Sequence, residues 1–207
     1  MSVHLLCVRH GLSTWNLEKR WQGRADPPLS EAGINGAVEL AEALATTVAH
    51  GPHTPVWSSD LRRALATAEI IANRLGAGAV NVDGRLREAD VGPWQGLTSP
   101  EIEEGWPGYI AAGRRPDGFE PEADLLGRVL PALLDIARGV PPGAVPIVIA
   151  HAGVLRAVRR HTGAVDEHLA NLAGLWFAVD PARGAVSFTG LFAAPPVAFG
   201  ARGNREA

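Results

Sequence analysis

The chain has 207 residues, enough for one domain with a formed core, and its 46% hydrophobic and 20% charged content describes a globule rather than a disordered segment. A net charge of −3 argues against a dedicated binder of nucleic acid or anionic membrane, while leaving room for a local basic pocket. The single cysteine, Cys7, excludes an internal disulfide framework; with no signal-peptide pattern and no apolar run of spanning length, a cytoplasmic protein is expected.

Residues 3–11, V-H-L-L-C-V-R-H-G, read as a buried strand that runs directly into Arg9, His10 and Gly11. A polar segment follows over 12–28, holding Trp15, Asn16, Trp21, Gln22 and Gly23, and Pro27-Pro28 ends it. Ser30 is a good N-cap, with Glu31 in the first turn. The helix it opens has the apolar stripe Ile34, Ala37/Val38, Ala41, Leu44/Ala45 and Val48. Gly51-Pro52 is punctuation and residues 55–58 are a short strand. Ser59 or Asp60 is the expected cap of a second helix, striped by Leu61, Ala64/Leu65, Ala68, Ile71/Ala72 and Leu75, with Gly76 as its C′ residue. Residues 79–82 read as a third strand.

The middle, 83–122, is less regular. Ser99-Pro100 look like an N-cap and N1 pair, and the Gly and Pro residues from Gly105 to Pro121 make the rest loop-rich. Leu125/Leu126, Val129/Leu130, Leu133/Leu134 and Ile136/Ala137 then repeat at helical spacing, with Pro131 expected to kink or restart that helix. Residues 145–150 are an all-apolar strand running into His151, followed by a helix from about Val154 to His161. Residues 175–179 and 185–189 read as a hairpin, whose edge suits pairing in a homodimer. The tail from Ala194 is expected to be loose.

Strands alternating with helices imply an α/β fold over 1–207 as a single domain: a mostly parallel sheet covered on both faces, a three-layer αβα sandwich. Two of its strands end in histidine, His10 and His151. Ligands of open α/β sheets bind at the carboxyl ends of the strands, so neighbouring strands would bring both imidazoles to one crevice. Each residue alone has a plain explanation: strand-end histidines, a surface helix arginine for Arg62, a solvated carboxylate for Glu88. Cys7 reads as core packing. His50-x-x-His53 sits in a Gly/Pro loop without further ligands, so no metal site is expected. No G-x-x-x-x-G-K-[ST] phosphate loop is present.

The order of motifs is more specific than any one of them. Arg9-His10-Gly11 is followed by Asn16, Gln22-Gly23, Leu29-Ser30 and Gly33, then S-S-D-L-R-R-A from Ser58 through Thr67-Ala68-Glu69. L-R-E-A-D-V-G-P-W-Q-G from Leu86 and A-H-A-G-V-L-R-A from Ala150 complete the series. This series resembles the histidine phosphatases, the phosphoglycerate mutase-like superfamily, in its compact phosphatase branch. The resemblance implies a metal-independent, cofactor-free phosphomonoester phosphatase with a small-molecule phosphomonoester as its partner. It assigns the nucleophile to His10, which would form a phosphohistidine. Its other ring nitrogen should donate to a backbone carbonyl. Arg9 and Arg62 would grip the phosphoryl oxygens with forked donors, and His151 would add another. Asn16, Gln22 and Gly23 would help bind substrate.

Glu88 is the implied proton donor, with Asp26 and Asp90 as rivals; a raised pKa would suit that role, and Trp94 or nearby apolar groups are expected to desolvate it. Ala150 and Ala152 depart from the Ser or Thr and Gly that flank the second histidine in many relatives. Gly36-Ala37 replaces a Gln-Ala, and Gly118-Phe119-Glu120-Pro121 stands where a Gly-Glu-Ser segment is common. Two alternatives remain: a cofactor-dependent phosphoglycerate mutase, with Arg114-Arg115 gripping a substrate carboxylate, and a non-catalytic phospholigand-binding protein. Trp15, Trp21, Trp94 and Trp106 point to an apolar or ring-bearing substrate.

Overall fold

Four consecutive side chains of the first strand, Leu5, Leu6, Cys7 and Val8, are completely buried. A strand with no polar alternation must be covered on both faces. Leu5 and Cys7 enter one apolar layer with Val148, Ala150, Val129, Leu133, Ile136, Val154 and Val158. Leu6 and Val8 enter another with Ile147, Ile149, Leu40, Leu44, Ala64, Ala68 and Ile71. Each large side chain so buried contributes about 1.5–3 kcal/mol, which holds helices against both faces.

The computed structural model describes residues 2–48 and 54–192; His50, His53 and the tail from Ala194 lie outside the described residues. Its elements are β1 (Val3–Arg9), α1 (Thr14–Leu17), α2 (Glu31–Thr47), β2 (Val56–Ser58), α3 (Arg62–Leu75) and β3 (Asn81–Val82). Two 3₁₀ turns, Gly84–Leu86 and Gly92–Trp94, lead to α4 (Ser99–Gly105), α5 (Glu122–Gly139), β4 (Ile147–Ala150), α6 (Ala152–His161), β5 (Gly174–Asp180) and β6 (Ala185–Phe192). The sheet order is β3-β2-β4-β1-β5-β6. The first four strands in that order are mutually parallel; β5 is antiparallel to β1, and β6 to β5. The expected α/β architecture is the observed one, and the late hairpin forms one edge of the sheet. Among the described residues no helix is long and apolar enough to cross a membrane.

Four local expectations are corrected. On α2, Ile34 and Val38 are 45% and 41% exposed. The buried meridian runs Gly33, Ala37, Leu40/Ala41, Leu44. Its rotation is set by Gly33, where a Cβ would stand 2.0 Å from the Leu12 carbonyl oxygen. The α3 N-cap is Leu61, not Ser59 or Asp60. Asp60 is taken by the Arg87 guanidinium, and Asp26 Oδ1 accepts instead from the Arg62 amide at 2.6 Å. Thr98, one residue before the expected Ser99, caps α4 in a capping box with Glu101. Finally, α5 is one helix through Pro131 and does not restart there. The bond lost there is to the Gly127 carbonyl, and Val129, Ala132 and Leu133 bury both sides of the proline in one layer.

Candidate active site

The register of β1 on β4 pairs Arg9 with Ala150, so the next residues, His10 and His151, emerge side by side. The His10 amide donates to the Ala150 carbonyl at 3.0 Å, carrying the ladder one step past the strands. The two rings lie 5.1 Å apart between centroids, tilted by 59°. Both are buried, His151 completely.

Gly11 lets the chain turn under His10. A Cβ there would meet the Gly33 carbonyl oxygen at 2.8 Å, and its amide donates to Thr67 Oγ1 at 3.0 Å. His10 Nδ1 lies 2.7 Å from the Gly11 carbonyl oxygen. A carbonyl only accepts, so Nδ1 carries the proton and Nε2 keeps its lone pair. The expected orienting bond is therefore present. Asn171, which no sequence motif singled out, donates to the carbonyls of His10 and Gly11 at 3.0 and 3.2 Å and to Asn16 Oδ1 at 3.2 Å.

His10 lines a cavity of about 540 Å³ with Arg9, Asn16, Gln22, Gly23, Arg63, Glu88, Gly153 and Arg156. Arg62 does not line it. Arg62 is exposed and turned from the cavity, while the next residue, Arg63, is buried and faces it. Arg63 is anchored by donation to the carbonyls of Ala25 (2.6 Å) and Gly23 (2.9 Å). Burial, more than the neighbouring Arg9 charge, lowers the Arg63 pKa to about 10, against the pull of Glu88 and Asp26, so the guanidinium stays charged at neutral pH. Arg9 donates to the Leu169 carbonyl at 2.6 Å. Arg9 Nε, Arg63 Nε and both ring nitrogens of His151 are buried without a partner, four polar atoms gathered about His10. His151 stands beside His10 without lining the cavity, its ring nitrogens open to a partner.

Among the described residues Glu88 is the one carboxylate in the lining of this cavity. Its oxygens accept from the Ala89 amide at 2.9 Å and from Gly153, in the first turn of α6, at 3.0 Å. A Cβ at Gly153 would stand 2.4 Å from Glu88 Oε1, so any larger residue there would push the Glu88 carboxylate from its place. The rivals are engaged elsewhere: Asp26 caps α3, and Asp90 accepts from Gly92 N at 2.9 Å. Trp21 also lines the cavity, but Trp15, Trp94 and Trp106 do not. Trp94 is fully buried among Trp21, Trp106 and Phe119, so these rings build a wall, not a ligand platform.

A second cavity of about 680 Å³ adjoins the first across Trp21, Ala89, Phe119, Gly153 and Arg156, and Arg115 lines it. The Arg114-Arg115 pair splits. Arg114 stacks on Tyr109, whereas Arg115 lies over Trp94 and Phe119 at 5.4 and 5.3 Å. Burial lowers the Arg115 pKa, and the Arg156 and Arg160 charges lower it further.

Both imidazoles titrate far below the ordinary histidine range. For His10 the main cause is burial, then the Arg63 charge, against the bond to Gly11. For His151 it is burial, then Arg63 and His10. Unfolded, each takes up a proton near pH 6.5; folded, each stays neutral well below that. The unfolded chain thus binds more protons. The stability carried by this pair is full above about pH 6.5 and is lost as pH falls through that value. The slope should approach about 2.7 kcal/mol per pH unit, two protons' worth. Urea unfolding from about pH 7.5 to 5 measures it, and His10→Asn should halve the slope. A flat profile would contradict neutral burial.

A family model described as histidine phosphatase superfamily (branch 1) matches residues 5–175. The chain is 36% identical over 168 residues to the glucosyl-3-phosphoglycerate phosphatase of Mycobacterium tuberculosis (strain CDC 1551 / Oshkosh), covering 74% of this chain and 72% of the relative. It is 37% identical over 156 residues to the protein named probable phosphoglycerate mutase GpmB of Cronobacter sakazakii, covering 72% and 69%. The solved structure of mycobacterial glucosyl-3-phosphoglycerate phosphatase with VO3 matches with a TM-score of 0.77 at 29% identity, over 91% of this chain and 97% of that one.

Proposed function

The chain belongs to the histidine phosphatase superfamily, branch 1, and is a phosphomonoester hydrolase; from that membership we propose that it acts through a phosphohistidine on His10, on phosphomonoesters bearing a second acidic group. The observation that carries the first part is the pinned His10 ring, its Nδ1 bonded to Gly11 and its Nε2 lone pair free. In the first step Nε2 attacks phosphorus, the P–N bond forms, the ester P–O bond breaks, and Glu88 protonates the departing alkoxide. In the second step Glu88, now a carboxylate, takes a proton from water as that water attacks phosphorus. The P–N bond breaks and inorganic phosphate leaves. Arg9, Arg63 and His151 offset charge on the phosphoryl oxygens, and Asn16, Gln22 and Gly23 hold the mouth.

The second cavity supports the substrate class. Arg156 is paired with Asp166, and Arg160 with Glu122 and Asp166, whereas Arg115 has no carboxylate bonded to it among the described residues. An anionic group on the substrate would give Arg115 the partner it lacks. The relatives' names, which include a phosphatase of glucosyl-3-phosphoglycerate, agree in kind. Of the four tryptophans behind the expectation of an apolar or ring-bearing substrate, Trp21 lines both cavities, while Trp15, Trp94 and Trp106 line neither.

The test is phosphate release in the presence of a chelator, comparing phosphomonoesters that carry a carboxylate with their neutral isosteres. The acidic substrates should be favoured about tenfold in kcat/KM, and Arg115→Ala should erase that preference through KM. Equal efficiency would remove the substrate class and leave the phosphatase. Transfer of phosphate to an added phosphoglycerate, without release, would favour a mutase. Neither release nor transfer would leave a phospholigand-binding protein.

A further inference from the structure

Glu88 stands on a segment that belongs to no helix or strand. Something must hold its backbone. The Arg128 guanidinium, reaching across from α5, donates through Nη1 to the carbonyls of Arg85 and Arg87, both at 2.7 Å, and through Nη2 to the carbonyl of Glu88 at 3.1 Å. Its Nε and Nη2 also grip the two oxygens of Glu120 at 2.8 Å each. A guanidinium has five N–H donors, and here five acceptors take them all. Glu120 in turn accepts from the Asp90 amide at 3.1 Å, and the Glu120 amide donates to the Asp90 carbonyl at 2.8 Å. One side chain thus ties both sides of Glu88 to a rigid helix and to the 118–121 loop.

We propose that Arg128 is a positioning residue for the proton donor: it touches no reacting atom, but fixes the backbone from which Glu88 reaches the leaving group and the α6 amide. This rests on reading Glu88 as the donor. The arrangement is specific to a planar fork. Lysine has three donors from one point and cannot serve three carbonyls and a carboxylate together.

A merely structural arginine would slow all substrates alike when removed. A positioning residue for a proton donor matters most where the leaving group needs the proton. The experiment measures kcat/KM, which reports phosphoryl transfer to His10 and loss of the leaving group, for an alkyl phosphate and for p-nitrophenyl phosphate. Arg128→Ala should cut kcat/KM on the alkyl phosphate by about 10–100-fold, in line with losses of residues that orient a reacting group, and on the nitrophenyl ester by less than about threefold. Arg128→Lys should show the same bias in smaller degree, and carries the test if the alanine variant does not fold. Equal losses on both esters, or none on either, would overturn the positioning role. Glu88→Gln is run beside them. If it lacks the bias, the donor assignment fails and this proposal with it. If it shows the bias and the Arg128 variants do not, the positioning role alone is wrong.

Discussion

His10→Asn is expected to slow phosphate release at least about 10⁴-fold, and to leave no phosphate on the protein after reaction with a labelled phosphomonoester. The native protein, quenched in alkali because phosphohistidine is acid-labile, should carry label that turns over to free phosphate. Asparagine is close in size, and its amide can still bond the Gly11 carbonyl. The loss is therefore one of nucleophile rather than of fold. The native geometry suits the ring to nucleophilic attack in two ways. Burial and the Arg63 charge keep it neutral, and the Gly11 bond presents one nitrogen only. Label persisting in the variant would move the nucleophile elsewhere, with the adjacent His151 the first place to look.

Arg63→Ala should lower kcat by about 10²–10³-fold, the usual cost of removing a donor that meets developing charge, whereas Arg62→Ala should stay within about twofold of native. Arg63 also fixes the Gly23 and Ala25 carbonyls, so its removal should raise KM as the 22–26 segment loosens. Circular dichroism on both variants separates this from unfolding. The reverse ranking would restore the arginine that the sequence favoured.

That misassignment shows where the sequence stops informing. L-R-R-A carries two arginines on the opening turn of a helix, and successive residues point about 100° apart. Which one faces the crevice depends on where the helix begins. The expected cap at Ser59 or Asp60 is displaced by tertiary contacts, Arg87 on Asp60 and Asp26 on the Arg62 amide. The rotation of α2 was hidden for the same reason, since the Gly33 contact with Leu12 decides it. By contrast, the two histidines were readable. All-apolar strands ending in polar chemistry announce the carboxyl edge of a buried sheet, and only their adjacency needed the fold. Asn171 and Arg128 carry no local signal at all. Asn171 bonds the Gly11 carbonyl 160 residues away along the chain, and Arg128 the Arg87 carbonyl 41 residues away.

The insertion of β4 between β1 and β2 also governs when the chain becomes an enzyme. During synthesis His10 emerges long before residues 147–150, which give its strand its parallel neighbour. Before that, the first half can hold local helices but no central sheet. Pairings of such long sequence separation form slowly and late. Until β4 and α6 have followed, His10 is without its companion imidazole and without the α6 amide that seats Glu88.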